Sequence, residues 1–225
     1  TVGVAPEANL YYIATWAFDP DTGERNYGYY AQAIRRILEI NQTLPEDQRI
    51  RVISISLGWI PEYDGYQEVT AAVADAQAAG IFVVYSNIEN SYAGFDFHGM
   101  GRHPLADPNT FASYEPGLFW ADSFYARGGL SGDVLLAPMD SRTIASQTGV
   151  DHYTFDRTGG LSWAIPYIAG VYALSAQVDP DITPQQFWDV ALATGHTIEL
   201  THEGEALSFG TIIDPPALIA ALGEY

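Results

Sequence analysis

The chain has 225 residues, of which 28 are acidic and 9 are basic, and its formal net charge is −19. This negative balance argues against nucleic acid and anionic membrane surfaces as partners, because both repel a polyanion. The absence of cysteine excludes a disulfide framework and a thiolate metal site. It leaves the cellular compartment open, although a signal peptide on a longer precursor would favour secretion.

Strands and helices alternate along the first half of the chain. Residues 10–16 and 51–57 are predicted strands, and the second of them is rich in β-branched side chains. Apolar residues at helical spacing predict a helix over 30–40 between them. A second helix is predicted over 67–79, and a buried strand over 81–85 follows it directly. This order is typical of a parallel sheet whose connecting helices cover both faces.

The second half continues the alternation without any internal repeat. We predict a short strand over 133–137, an apolar helix from residue 160, a helix over 187–194 and a final helix over 216–222. A capping box at Thr183 precedes the third of these elements. The 48% share of apolar residues supplies a large core, and no apolar run reaches the length of a membrane span. We therefore expect one domain, residues 1–225, with an α/β fold of three layers: a parallel sheet between two layers of helices.

One serine stands at the entrance of an almost wholly apolar segment. Residues 160–170 read GLSWAIPYIAG, and the glycines before the segment allow a tight turn and the close approach of another backbone. Pro166 falls within the first turns of the predicted helix, where a missing amide donor costs least. Ser162 is therefore presented at a helix N-terminus, where free amides favour the negative charge that develops during acyl transfer.

The segment resembles the nucleophile motif of the subtilisin-like serine peptidases, GTSMASPHVAG. Three further stretches resemble that family in the same order: residues 2–11 (VGVAPEANLY), 52–58 (VISISLG) and 209–214 (FGTIID). Between about residues 91 and 130 the usual central part of the family is not recognisable. The resemblance implies a subtilisin-like fold, with Ser162 as the catalytic nucleophile.

The other two residues of the catalytic triad are not found in their motifs. In the family, the Asp and His segments precede the stretch that begins here at residue 2. The chain's five histidines all come later, and none stands in a His-Gly-Thr context: His98, His103, His152, His196 and His202. The resemblance thus implies a C-terminal portion of a peptidase domain that needs an upstream segment as its partner. The isolated chain is expected to be nearly inactive.

The resemblance also implies where a peptide substrate binds. Two strand ends would flank a cleft and form hydrogen bonds to the backbone of an extended peptide, and they consist of Ser56, Leu57, Gly58, Tyr85 and Ser86. Open parallel sheets bind their ligands at this edge.

The resemblance implies an oxyanion donor as well, because the family places an asparagine nine residues after a glycine. Counting from Gly80 reaches Glu89, which would act as a donor only if it stays protonated. A shift of one residue selects Asn90, a different loop path selects Asn87, and a defective oxyanion hole is the remaining alternative.

Two other segments have alternative interpretations. The acidic turn over residues 19–24 offers oxygen ligands for calcium, but its spacing does not match a calcium loop, and a solvated turn is favoured. We therefore expect no cofactor and no metal ligands. The stretch 97–104, with two histidines and an arginine, is interpreted as a loop that either shapes specificity as a lid or is merely structural.

The sequence therefore predicts a serine endopeptidase that hydrolyses peptide bonds through an acyl-enzyme on Ser162. The alternative is a pseudopeptidase that binds a peptide or a partner protein in the same cleft without catalysis. A peptidase of the related sedolisin type is disfavoured, because the late segment lacks that family's calcium signature.

Overall fold

The computed structural model describes residues 3–86 and 95–223 of the chain. Its α-helices are α1 (Gly28–Thr43), α2 (Tyr66–Ala78), α3 (Ala121–Arg127), α4 (Leu161–Val178), α5 (Pro184–Thr194) and α6 (Pro215–Gly223). Its strands are β1 (Val52–Ile55), β2 (Phe82–Tyr85), β3 (Asp96–Arg102), β4 (Tyr114–Pro116), β5 (Val134–Pro138), β6 (Arg142–Ala145), β7 (Tyr153–Asp156), β8 (His196–His202) and β9 (Glu205–Ile212). The predicted helices correspond to α1, α2, α4, α5 and α6, and three of the predicted strands correspond to β1, β2 and β5.

The strands form three groups. β1 and β2 pair in parallel, and a larger sheet has the order β4-β3-β5-β9-β8. In that sheet β3, β5 and β9 run parallel to one another, while β4 and β8 are antiparallel strands at its two edges. β6 and β7 form an antiparallel ribbon. The central strands are parallel as expected, and the antiparallel edge strands make the large sheet a mixed one.

Alternating side chains of β2 explain why helices cover both faces of the first strand pair. Phe82 and Val84 pack with α4 and α5 in one core cluster, whereas Val83 packs with α1 and α2 in another. All three side chains are almost fully buried. A strand buried on both faces reads as a continuous apolar run, which is why β2 was predictable.

β5 shows the same alternation in the larger sheet. Leu135 and Ala137 pack against α4, and Leu136 lies on the opposite face with Phe124 of α3 and Phe209 of β9. The helix α4 is long and apolar enough to meet the length and composition of a membrane span. Its buried side chains belong to the main core cluster, which accounts for its apolar composition.

The prediction of a strand over residues 10–16 is wrong, because this segment joins no ladder among the described residues. Its side chains nevertheless alternate in burial as in a strand. Leu10, Tyr12 and Trp16 are 89%, 84% and 69% exposed, while Ile13 and Thr15 between them are half-buried. The local pattern of a strand is present, but a strand also requires a neighbour with which to form hydrogen bonds.

The interpretation of residues 97–104 as a loop or lid is also wrong for most of the segment, which forms β3. Phe97 and Met100 are buried in two different core clusters. The glycines that favoured a loop have a packing role, because a Cβ atom on Gly99 would overlap the Met139 side chain.

The helix α5 begins as its sequence predicts. The Thr183 hydroxyl oxygen accepts a hydrogen bond from the Gln186 amide at 3.2 Å, and the Gln186 side-chain oxygen accepts one from the Thr183 amide at 2.9 Å. This reciprocal pair is a capping box, with proline at the first helical position.

Candidate active site

Ser162 is the second residue of α4, and a glycine pair precedes the helix. Gly160 is the N-cap residue and has an extended backbone, and a Cβ atom added to it would meet no other atom. Gly159 is different, because a Cβ atom there would overlap the Met139 carbonyl group. The close approach of another backbone, expected from the sequence, therefore occurs at Gly159. Ser162 itself is half-buried at the entrance of the helix.

Pro166 lies in the second turn of α4, since the helix begins at Leu161. The expectation that its missing amide costs little is wrong, because a helical amide at this position bonds to the carbonyl of the residue four positions earlier, which is Ser162. The carbonyl oxygen of Ser162 instead accepts a hydrogen bond from the Ser56 hydroxyl at 2.9 Å. A residue that follows β1 is thus bonded directly to the backbone of the candidate nucleophile.

A buried carboxylate holds the chain just before α4. Asp140 is 4% exposed and follows β5. One of its oxygens accepts a hydrogen bond from the Gly159 amide, and the other accepts one from the Leu118 amide, both at 2.6 Å. Asp140 therefore ties the entrance of α4 to the segment before α3.

The two residues after Asp140 extend this attachment. Ser141 has a positive φ of 53°, a strained backbone conformation for a residue with a side chain, and it is 3% exposed. Its amide donates to the Arg157 carbonyl at 3.1 Å, and its hydroxyl donates to the Arg102 carbonyl at 2.8 Å. These bonds hold the strained turn in place.

Arg142 completes the set and reaches α4 itself. Its guanidinium group donates to the Trp163 carbonyl at 2.6 Å and to the Pro138 carbonyl at 3.1 Å. It also lies over the Tyr167 ring, 5.4 Å from the ring centre. Burial raises the pKa of Tyr167 to about 12, so this phenol is neutral at physiological pH. Arg142 and Ser56 thus bond to carbonyls in the first turn of α4, and Asp140 bonds to the chain just before the helix.

The predicted substrate-binding residues meet at the same edge of β1 and β2. The Leu57 carbonyl accepts a hydrogen bond from the Ser86 amide at 3.1 Å, which joins the two strand ends. Tyr85 stacks on Trp59, with ring centres 4.5 Å apart, and Gly58, directly before Trp59, is half-buried. Through Ser56, this edge also contacts Ser162. The structure therefore brings the predicted strand ends and the predicted nucleophile together.

The five histidines all lie in the described part of the chain, and none is hydrogen-bonded to Ser162 there. His98 stacks on Trp120, His152 bonds to Thr148 at 3.0 Å, and His196 bonds to Asp214 at 2.9 Å. His103 accepts the Leu105 amide, and His202 stacks on Tyr125. Each has a contact that accounts for its position without a role beside Ser162.

His98 lies on β3 with its ring against Trp120. Burial lowers its pKa, and nearby Arg127 acts in the same direction, while Asp96 acts against them. The imidazole is therefore neutral under physiological conditions.

The predicted oxyanion donors Glu89, Asn90 and Asn87 lie outside the described residues. In the turn at residues 19–24, one Asp19 oxygen accepts the Asp21 and Thr22 amides at 2.9 Å, and the other accepts the Tyr29 hydroxyl at 3.1 Å. Within residues 3–86 and 95–223 no group of three acidic or histidine side chains is placed to hold a metal ion. These hydrogen bonds to Asp19 hold the turn together.

Residues 140–142 were not among the site residues predicted from the sequence. The available signal was a run of three polar residues that begins two positions after a buried strand, at the edge where parallel sheets place functional groups. The distant partners of these residues, at Leu118 and Gly159, are visible only in the structure.

Ser162 thus lies at the start of an apolar core helix of an α/β domain, beside the ends of two parallel strands. The sequence profile described as the subtilase family matches residues 1–120, which is more than half of the chain. The chain therefore belongs to the subtilase family of peptidases. The match includes much of the region in which no family motif was recognisable, and it ends before α4. A search of curated protein sequences finds no significant match.

Several solved structures share the fold. The patellamide maturation protease PatA has a TM-score of 0.57 and 18% identity, over 99% of this chain and 77% of that one. The prenylagaramide maturation protease PagA has a TM-score of 0.55 and 16% identity, over 98% and 76% of the two chains. The subtilase cytotoxin SubAB has a TM-score of 0.59 and 14% identity, over 89% and 66%. These similarities place the chain in the subtilisin-like α/β fold.

Proposed function

We propose that this subtilase domain is part of a serine endopeptidase that cleaves peptide bonds through an acyl-enzyme on Ser162. The observation that carries the proposal is the position of Ser162 at the start of α4, bonded through its carbonyl to Ser56 at the end of β1. Membership of a peptidase family supports it. The free amides at the helix N-terminus favour the negative charge of the tetrahedral intermediate.

The general base and its supporting carboxylate are proposed to come from sequence upstream of residue 1. A serine hydroxyl is a weak nucleophile until a neighbouring base accepts its proton, and the five histidines of this chain have contacts elsewhere. Residues 10–16 support a further segment next to this part of the molecule, because Leu10, Tyr12 and Trp16 are largely exposed. Large apolar side chains clustered at the surface are typical of a covered face.

The proposed substrate is a peptide or protein segment in extended conformation. It would lie along the strand ends formed by residues 56–58 and 85–86 and use backbone hydrogen bonds, which tolerate many side chains. The half-buried Tyr85 ring, stacked on the buried Trp59, places an apolar group beside the polar backbone groups of this edge. The reaction would follow the usual order of acylation, release of the new amine and hydrolysis of the ester by water.

Glu89 is the first candidate for the oxyanion donor, with Asn90 and Asn87 as alternatives. A carboxyl group can donate to an oxyanion only when protonated, so activity that depends on Glu89 should fall at high pH. Glu89→Gln should remove this alkaline loss, and Glu89→Ala should lower kcat by about 10²–10³. An unchanged kcat in Glu89→Ala, with that loss in Asn90→Ala or Asn87→Ala, would assign the role to an asparagine.

The test of the proposed function is peptide hydrolysis by the full-length protein and by its Ser162→Ala variant. We expect hydrolysis by the first and its loss in the second, with equal thermal stability for both. Binding of a peptide with equal affinity by both proteins, without hydrolysis by either, would instead support the pseudopeptidase. That alternative is kept because no histidine of the described residues is bonded to Ser162.

A further inference from the structure

The first turns of α4 contain a defect that its own sequence creates. An α-helical carbonyl accepts a hydrogen bond from the amide four residues later, and the residue four positions after Ser162 is Pro166. Proline has no amide hydrogen, so the helix cannot supply a donor to this carbonyl. The defect falls on the residue whose backbone aims the candidate nucleophile.

A side chain from another element repairs this defect. The Ser56 hydroxyl, 106 positions away in sequence, donates to the Ser162 carbonyl at 2.9 Å. Ser56 follows β1 directly, and Val52 of β1 packs in the core cluster that contains the buried face of α4. The donor is therefore carried by an element that is fixed against the helix.

We propose that Ser56 is a positioning residue that replaces the missing amide of Pro166 and fixes the backbone of Ser162 for catalysis. This inference rests on the proposed function of Ser162. It changes the role expected for the Ser56 side chain, which the sequence assigned to substrate binding. The hydroxyl points to the enzyme's own helix, so its loss should impair the chemical step more than substrate affinity.

The orientation of the nucleophile explains why one hydrogen bond matters. The carbonyl and the side chain of Ser162 share one α-carbon, so a shift of that α-carbon after loss of the hydrogen bond would also move the hydroxyl. Displacement of a nucleophile by a fraction of the attack distance lowers the rate strongly, because the reacting atoms must be aligned. A carbonyl without a donor would gain this freedom.

The test is a double-mutant cycle in the full-length protein. Pro166→Ala restores an amide at position 166, and Pro166 is exposed, so the substitution leaves no buried cavity. We expect Ser56→Ala to lower kcat about tenfold with little change in KM, which is the effect of losing one oriented hydrogen bond. In the Pro166→Ala background, the same change should alter kcat by less than about threefold. Ser56→Thr keeps the hydroxyl and should retain activity.

Two controls separate this role from general effects. Ser54→Ala removes an exposed hydroxyl from β1 itself and should leave kcat and KM unchanged. Amide hydrogen exchange of the first turns of α4 reports on the hydrogen bond without any chemistry. It should become faster in Ser56→Ala and return to normal in the double variant.

The outcomes distinguish this inference from the proposed function. If the wild-type protein has no peptidase activity but amide exchange in α4 still becomes faster in Ser56→Ala and normal in the double variant, the function of Ser162 is refuted. The replacement of the missing hydrogen bond by Ser56 then still stands. An active enzyme in which Ser56→Ala changes neither kcat nor exchange would overturn the inference alone. A raised KM in Ser56→Ala that Pro166→Ala does not correct would also overturn the inference, because that result would return Ser56 to substrate binding.

Discussion

Replacement of Asp140 should destabilise the domain more than replacement of an exposed acidic residue does. The carboxylate is 4% exposed and accepts the Gly159 and Leu118 amides at 2.6 Å each. Asp140→Ala removes two part-buried hydrogen bonds from backbone amides to a charged group, and each such bond contributes about 1.5–3 kcal/mol. Removal of a buried charge offsets part of this cost, so we expect a net loss of about 2–4 kcal/mol.

Asp140→Asn provides the matched comparison. The amide side chain keeps one acceptor oxygen but turns an NH₂ group toward the second backbone amide, so its loss should be about half as large. Asp133→Ala, at an exposed position just before β5, should change stability by less than about 0.5 kcal/mol. Urea denaturation of the four proteins measures these differences. An Asp140→Ala variant as stable as Asp133→Ala would refute the idea that this carboxylate anchors the entrance of α4.

The remaining predictions concern the core and its pH dependence. Ile55 and Val83 are 8% and 0% exposed, so Ile55→Ala and Val83→Ala should each lower the free energy of unfolding by about 2–4 kcal/mol in urea denaturation. A loss as small as that of Glu24→Ala, at an exposed position, would contradict the strand assignments. Because burial lowers the pKa of His98, the unfolded chain binds more protons than the folded one below about pH 6.5, so stability falls as the pH drops through that value. Between pH 7.5 and 5.5, the free energy of unfolding of His98→Phe should fall less than that of the wild type. In the control His202→Phe, at an exposed position, it should fall as much as in the wild type. Equal losses in all three proteins would contradict the buried, neutral state of His98.

The predictable parts of the fold were those in which local chemistry decides the structure. The capping box at Thr183 involves residues three apart, and the apolar run of β2 follows from burial on both faces. The errors arose where a distant partner decides. Residues 10–16 have the alternation of a strand but no ladder among the described residues, and the glycine at position 99 reflects contact with Met139, forty residues later in sequence.

The candidate site shows the same division. Ser162 was predictable because its motif is contiguous and its helix is apolar. The bond from Ser56 joins residues 106 positions apart, and Asp140 reaches Leu118 across 22 positions. Such contacts leave no periodic pattern in the sequence, so their roles became visible only when the elements were assembled.

We propose that Ser162 is a nucleophile whose general base lies upstream of residue 1. Labelling by a fluorophosphonate probe tests it directly, because the probe reacts only with an activated serine. The full-length protein should form an adduct that mass spectrometry places on Ser162, and the 225-residue chain should react hardly at all. Rapid labelling of the 225-residue chain, lost in Ser162→Ala, would show that a base lies within it; an unlabelled Ser162 in the full-length protein would contradict its role as nucleophile.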